Sequence, residues 1–178
     1  MNHSSYGAIV HGRPANAAST VEARTVAGAR VIALIAVQGD LATPSLESVK
    51  GALARLAQGT EAAKLTAAAP PPPYASGVAV VLLAGDLAHV ATTGGGRCYR
   101  ERDGILHELG AGAHDVRSGD GLIAASHASL EVDRRFFTTA VEPSASEEFR
   151  NDTLDDALES ALEGYSSSGF AVSAARIG

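Results

Sequence analysis

The sequence predicts an α+β domain of packed layers rather than alternating βαβ units. Three observations predict it. Along the chain the elements fall in the order strands, helix, strands, helix, strand. The run "RVIALIAVQGD" is almost continuously apolar, as in a strand buried on both faces. From residue 77 to residue 110, tight-turn signals cut the chain into three or four short strands that read as a meander. A length of 178 residues supports one well-buried core, so residues 1–178 are expected to form a single domain.

"YGAIVHG" from Tyr6 is the first strand, and the run from Arg30 is the second. A helix follows. Thr43 and Pro44 supply an N-cap and a first-turn proline, and Leu46, Val49, Leu53 and Leu56 recur at helical spacing. Gln58-Gly59 either stops this helix or merely weakens one that continues to Ala69. "PPPP" at residues 70–73 forbids further helix and reads as a stiff connector. In the meander, turns fall at Ala84-Gly85-Asp86, at Gly94-Gly95-Gly96 and at Asp103-Gly104. Arg97 reads as a strand residue and Asp103 as a turn former. The turn Ser118-Gly119-Asp120-Gly121 feeds a buried strand over 122–125, with Ser126 and His127 at its end. A second helix is expected over 154–163. Thr153 and Asp156 are spaced as a capping box, Leu154, Leu158 and Leu162 share a face, and Gly164 lies past the end. "GFAVSAARI" closes the chain as a strand.

The composition limits the classes of partner. With 46% hydrophobic residues, 4% aromatic residues and no Trp, the core must be aliphatic. A net charge of -6 without a Lys/Arg cluster excludes nucleic acid and anionic membrane as main partners, because both require concentrated positive charge. Cys98 is the single cysteine, so no intrachain disulfide forms, and it reads as a small buried hydrophobe. "MNHSSYGAIV" lacks the basic and apolar regions of a secretory signal, and the longest apolar runs fall far short of the roughly 20 residues that span a bilayer. A cytoplasmic protein in a reducing compartment is expected.

"VATTGGGRCYRERDGILHELG" resembles a segment of the metal-dependent 2C-type (PPM) Ser/Thr protein phosphatases that contains the pattern "GDSR". Four further blocks are similar to segments of that family and occur in its order: "GRPANAAS", "LIAVQGDLA", "VRSGDGLIAASHA" and "SGFAVSAARI". The resemblance covers nearly the whole chain. It implies a four-layer α-β-β-α sandwich of two antiparallel sheets. The stretch between Gly39 and Ser76 holds one good helix where the family has two, and the segment over 131–151 is short, so the sandwich is expected to be trimmed.

Family chemistry rests on carboxylates that hold two Mn²⁺ or Mg²⁺ ions around a bridging water. The matching positions here are neutral. Ala17 and Ala18 stand for Glu-Asp, Gln38 before Gly39 stands for the metal Asp, and Gly95 stands for the Asp of "GDSR". His127 replaces the Asp of "SDG", while Ser168 and Gly169 replace the closing Asp-Asn. Neutral side chains and one imidazole cannot offset the repulsion between two divalent cations. No metal or other cofactor is therefore expected. Arg13 matches the family's phosphate-binding Arg and could grip a phosphate through its guanidinium fork, although an exposed Arg beside Pro14 explains it equally well. The resemblance thus implies a pseudophosphatase that acts by protein binding, with a Ser/Thr kinase or phosphoprotein as partner and homo-oligomers allowed by a trimmed outer layer. The alternatives are an active phosphatase or other hydrolase with an altered metal site around Asp40, His127 and Asp120, and a structural assembly subunit.

Overall fold

The computed structural model describes residues 5–11, 16–24, 30–39, 42–55, 77–126 and 170–178. Its elements are β1 (Ser5–His11), β2 (Asn16–Arg24), β3 (Arg30–Gln38), α1 (Ala42–Arg55), β4 (Gly77–Ala84), β5 (Leu87–Gly94), β6 (Arg97–Arg102), β7 (Ile105–Leu109), β8 (Gly112–Asp115), β9 (Gly121–Ala125) and β10 (Phe170–Arg176). They form two five-stranded sheets in the orders β1-β10-β9-β6-β7 and β2-β3-β4-β5-β8. Every pairing is antiparallel.

The apolar run of β3 is continuous because its two faces serve two cores. Val31, Ala33, Ile35 and Val37 pack with Val78, Val80 and Leu82 of β4 and with Leu46, Val49 and Leu53 of α1. Ile32, Leu34 and Ala36 point the other way, between the sheets, and meet Cys98, Leu122, Ala124, Ala171 and Ala175. Alternation along the strand sends successive side chains to opposite faces, so a strand between a helix and a second sheet needs apolar residues at every position. The spacing of Leu46, Val49 and Leu53 on α1 is the matching helical stripe. The helix begins at Ala42, one residue before the expected cap, which leaves Pro44 in the first turn, where its missing N–H costs nothing. Leu56 and the helix expected over 154–163 lie outside the described residues, as does the proline connector. The outer face of β9 and β10 is nonetheless buried, with Ile123, Ala125, Val172 and Ala174 at most 1% exposed. Among the described residues, no helix is long and apolar enough to cross a membrane.

Two strands escape the sequence pattern. β2, "NAASTVEAR", is made of small and polar residues with a weak strand signal, and it is held by pairing with β3 along its full length. β8 is a four-residue edge strand on β5. The largest correction concerns the meander. β4 and β5 form a hairpin in one sheet, after which the three glycines carry the chain across to the other sheet, where β6 and β7 form the next hairpin. β8 then returns to the first sheet. The inferred turns are present at both hairpins. Gly85, with φ of 60°, opens the first. Asp103 and Gly104, at 54° and 78°, have the left-handed pair of angles that matches strand twist in a two-residue hairpin.

Candidate functional site

Register brings the neutral positions to one end of the sandwich. Asn16 pairs with Gln38, Ala17 with Val37 and Ala18 with Ala36. Gln38 also pairs with Gly77 on its other side, and Gly77 pairs with Gly94. In the facing sheet, Arg97 pairs with Ala125 and Ala125 with Val172, so β9 ends at this same place with Ser126. The strand ends that meet here therefore carry Ala17, Ala18, Gln38, Gly39, Gly77, Gly95, Gly96 and Ser126. Gly39 is buried, and its φ of 148° favours glycine. Arg13, Asp40, His127, Ser168 and Gly169 lie outside the described residues.

What sits against the glycines is main chain. A Cβ on Gly96 would lie 2.3 Å from the carbonyl oxygen of Val78, and one on Gly77 would lie 2.4 Å from the carbonyl oxygen of Ser126. The sheets can approach this closely only because neither position has a side chain. Gly95 differs. A Cβ there would meet only the Ser126 carbonyl oxygen, at an ordinary 3.6 Å, so this position can accept a side chain. Arg97 closes the crossing by donating from Nη1 to the carbonyl oxygens of Gly96 (2.8 Å) and Gly94 (3.3 Å), with its Nε 3.2 Å from Glu108. It is thus a strand residue, as the sequence reading has it, and also a clasp on the glycine run. Ser126 is fully buried and ties β9 to β10. Its N–H donates to the Ala171 carbonyl oxygen at 2.9 Å, and the Ala171 N–H donates to its Oγ at 3.0 Å.

The described strand ends at this site carry no carboxylate. Their donors are the Gln38 amide, the Ser126 hydroxyl and backbone carbonyls, a neutral set that does not fit a pair of divalent cations. Among the described residues, no three His, Cys, Asp or Glu side chains are grouped so as to hold a metal ion. Asp103, Asp115 and Asp120 lie instead at the opposite end. Asp120 is the clearest case, because it lies at the far end of β9 from Ser126, roughly 20 Å away at about 3.3 Å per residue. Its carboxylate accepts from Arg102 Nε (2.8 Å) and Nη2 (2.6 Å) and from the Arg117 N–H (3.0 Å). Burial alone would raise its pKa, but the hydrogen bonds from Arg102 and Arg117 and the charges of Arg102 and Arg100 outweigh burial and hold it below the usual carboxylate value. Arg100 and Arg102 also reach the Asp115 carbonyl oxygen, and Arg117 pairs with Asp103. This end is a charged clasp between the sheets. The sequence pattern missed it because its arginine contacts from β6 join residues 13 to 18 apart that meet only across strands.

Cys98 is fully buried among the aliphatic residues between the sheets, with Sγ 3.8 Å from the Val80 carbonyl oxygen. Burial pushes its thiol far above the usual range, so it acts as a small hydrophobe.

No protein-family model and no curated protein sequence matches the chain. Solved structures do. The Streptococcus agalactiae serine/threonine phosphatase superposes with a TM-score of 0.70 at 12% identity, over 99% of this chain and 100% of that one. The Mycobacterium tuberculosis serine/threonine phosphatase PstP superposes with 0.63 at 19% identity, over 98% and 99%. The PP2C phosphatase domain of SpoIIE from Bacillus subtilis, solved with a fragment of its regulatory domain, superposes with 0.68 at 14% identity; the match covers 98% of this chain and 63% of that one. At such identities the likeness concerns the path of the backbone. Over nearly all of its length the chain has the fold of the 2C-type Ser/Thr protein phosphatases.

Proposed function

We propose that this domain is a 2C-type pseudophosphatase that works by binding a protein, as a regulator or scaffold in Ser/Thr phosphorylation signalling in the cytoplasm. One observation carries the reading. The strand ends corresponding to the family's metal centre meet at one place and supply Ala17, Ala18, Gln38, Gly39, Gly95 and Ser126, none of which is anionic. A bridging water needs two divalent cations to become a nucleophile near neutral pH, and cations need anionic oxygen ligands. Without them the cleft is left for recognition. A nearly neutral cleft does not repel a phosphate, so Arg13 can anchor a phosphorylated partner without a metal. That partner is a kinase or other phosphoprotein.

Calorimetric titration with Mn²⁺ or Mg²⁺ to millimolar concentration is expected to be flat. Turnover of an aryl phosphate and of a phosphopeptide should equal that of a denatured control. A saturating two-site isotherm would overturn the absence of a metal pair, and manganese-dependent turnover lost on Asp40→Ala would establish the altered hydrolase instead.

Arg13→Ala is expected to weaken binding of a phosphorylated partner about tenfold, or about 1.4 kcal/mol. Surface plasmon resonance with phosphorylated and dephosphorylated partner checks this. Equal binding by both proteins to both forms would favour a structural assembly subunit.

A further inference from the structure

Among the described residues, β7 is hydrogen-bonded to β6 on one side and to nothing on the other. The hairpin turn decides which of its groups face out. Only Asp103 and Gly104 join the strands, so Arg102 and Ile105 close the turn as a hydrogen-bonded pair. Alternation then makes Arg100 with His107, and Cys98 with Leu109, hydrogen-bonded pairs as well. The N–H and C=O groups of Leu106 and Glu108 are left facing the free edge. Sheet edges are usually blunted by Lys, Pro or a bulge. β7, "ILHEL", has no Lys or Pro and pairs with β6 without interruption, and Ile105 at its start is 55% exposed.

We propose that the β7 edge is a homodimer interface, at which a second copy adds its own β7 antiparallel and joins the two five-stranded sheets into one. Outward groups must meet outward groups, which leaves few registers. A two-fold axis through His107 sets Leu106 against the second copy's Glu108 and Glu108 against its Leu106, making two hydrogen-bonded pairs. Centring on Glu108 would oppose two carboxylates. Centring on Leu106 would draw Gly104 into the ladder, yet its N–H is already donated to Glu101 Oε1 at 2.6 Å. The His107 register also places the exposed Ile105 opposite the second copy's Leu109 and sets Gly104 near its Gly110. A Cβ at either glycine would meet nothing within 4 Å, so there is room for the second copy's turn. Glu108 brings little unbalanced charge, being paired with Arg97. The two His107 residues then lie directly opposite one another, each paired with its own Arg100 within its sheet.

Sedimentation velocity on the full chain, from micromolar to roughly millimolar concentration, tests this. Interfaces of this small size associate weakly, so a concentration-dependent dimer is expected. His107→Lys and His107→Glu should each raise the dissociation constant at least about tenfold, because like charges would lie directly opposite, while an equimolar mixture of the two should restore the dimer. Far-UV circular dichroism confirms that both variants fold. The amides of Leu106 and Glu108 should gain hydrogen-exchange protection with concentration. A wild type that stays monomeric, a dimer indifferent to either variant, or a loss that mixing fails to restore would each overturn the proposal.

Discussion

Gly96→Ala is expected to cost at least about 3 kcal/mol of stability, whereas Gly95→Ala, one residue earlier, should change it by no more than about 0.5–1 kcal/mol. Neither glycine has a positive φ, so backbone strain does not separate them. Space does. The methyl group at position 96 would meet the Val78 carbonyl oxygen at 2.3 Å and its carbon at 2.5 Å. Val78 belongs to β4, the middle strand of its sheet, bonded to β3 on one side and β5 on the other, so it cannot withdraw without breaking two ladders. The methyl at 95 would meet one carbonyl oxygen at 3.6 Å. Urea unfolding of the two variants and wild type checks the contrast, with a shifted midpoint at unchanged slope as the sign of a pure stability effect. Equal loss at both positions would mean that the crossing is held by something other than close main-chain contact. The same space shows that Gly95 is not a steric necessity where the resembling family has an Asp.

Asp120→Ala is the second large effect, about 2–3 kcal/mol. Breaking a buried ion pair costs about 3–5 kcal/mol, because the remaining partner loses its counter-charge. The figure is lower here because the Arg102 side chain keeps 25% of its surface exposed and can turn to water, while Asp120 is 1% exposed. The variant also leaves the Arg117 N–H without its acceptor. The pH dependence has a definite sign. Asp120 has a folded pKa below its usual 3.8, so its stabilisation is complete above that value and is lost as pH falls through the folded value. The gap between wild type and Asp120→Asn should therefore be full near neutral pH and close in acid below 3.8. A gap that is constant across this range would show that the carboxylate charge is not what holds the clasp.

The sequence by itself determined the apolar strands, the α1 stripe and both hairpin turns. Their signals are local: alternation, 3.6-residue spacing, and glycine or Asp-Gly where left-handed angles are needed. It also determined which residue types stand at the neutral positions. Only the tertiary structure decided that Ala17, Gln38, Gly95 and Ser126 share one end of a sandwich, since that depends on register between β2, β3, β4 and β9. It alone decided that the glycine run changes sheets. A hairpin and a crossing use the same residues locally and differ only in which strand β6 then pairs with, here β9 rather than β5. β2 lay below the sequence signal for a related reason, because Ala, Ser and Thr become a strand when β3 offers them a ladder. Asp120 looked like any turn residue until Arg102, 18 positions away, was placed against it. Sequence patterns report what each segment favours alone, while pairing and close approach belong to partners distant in the chain.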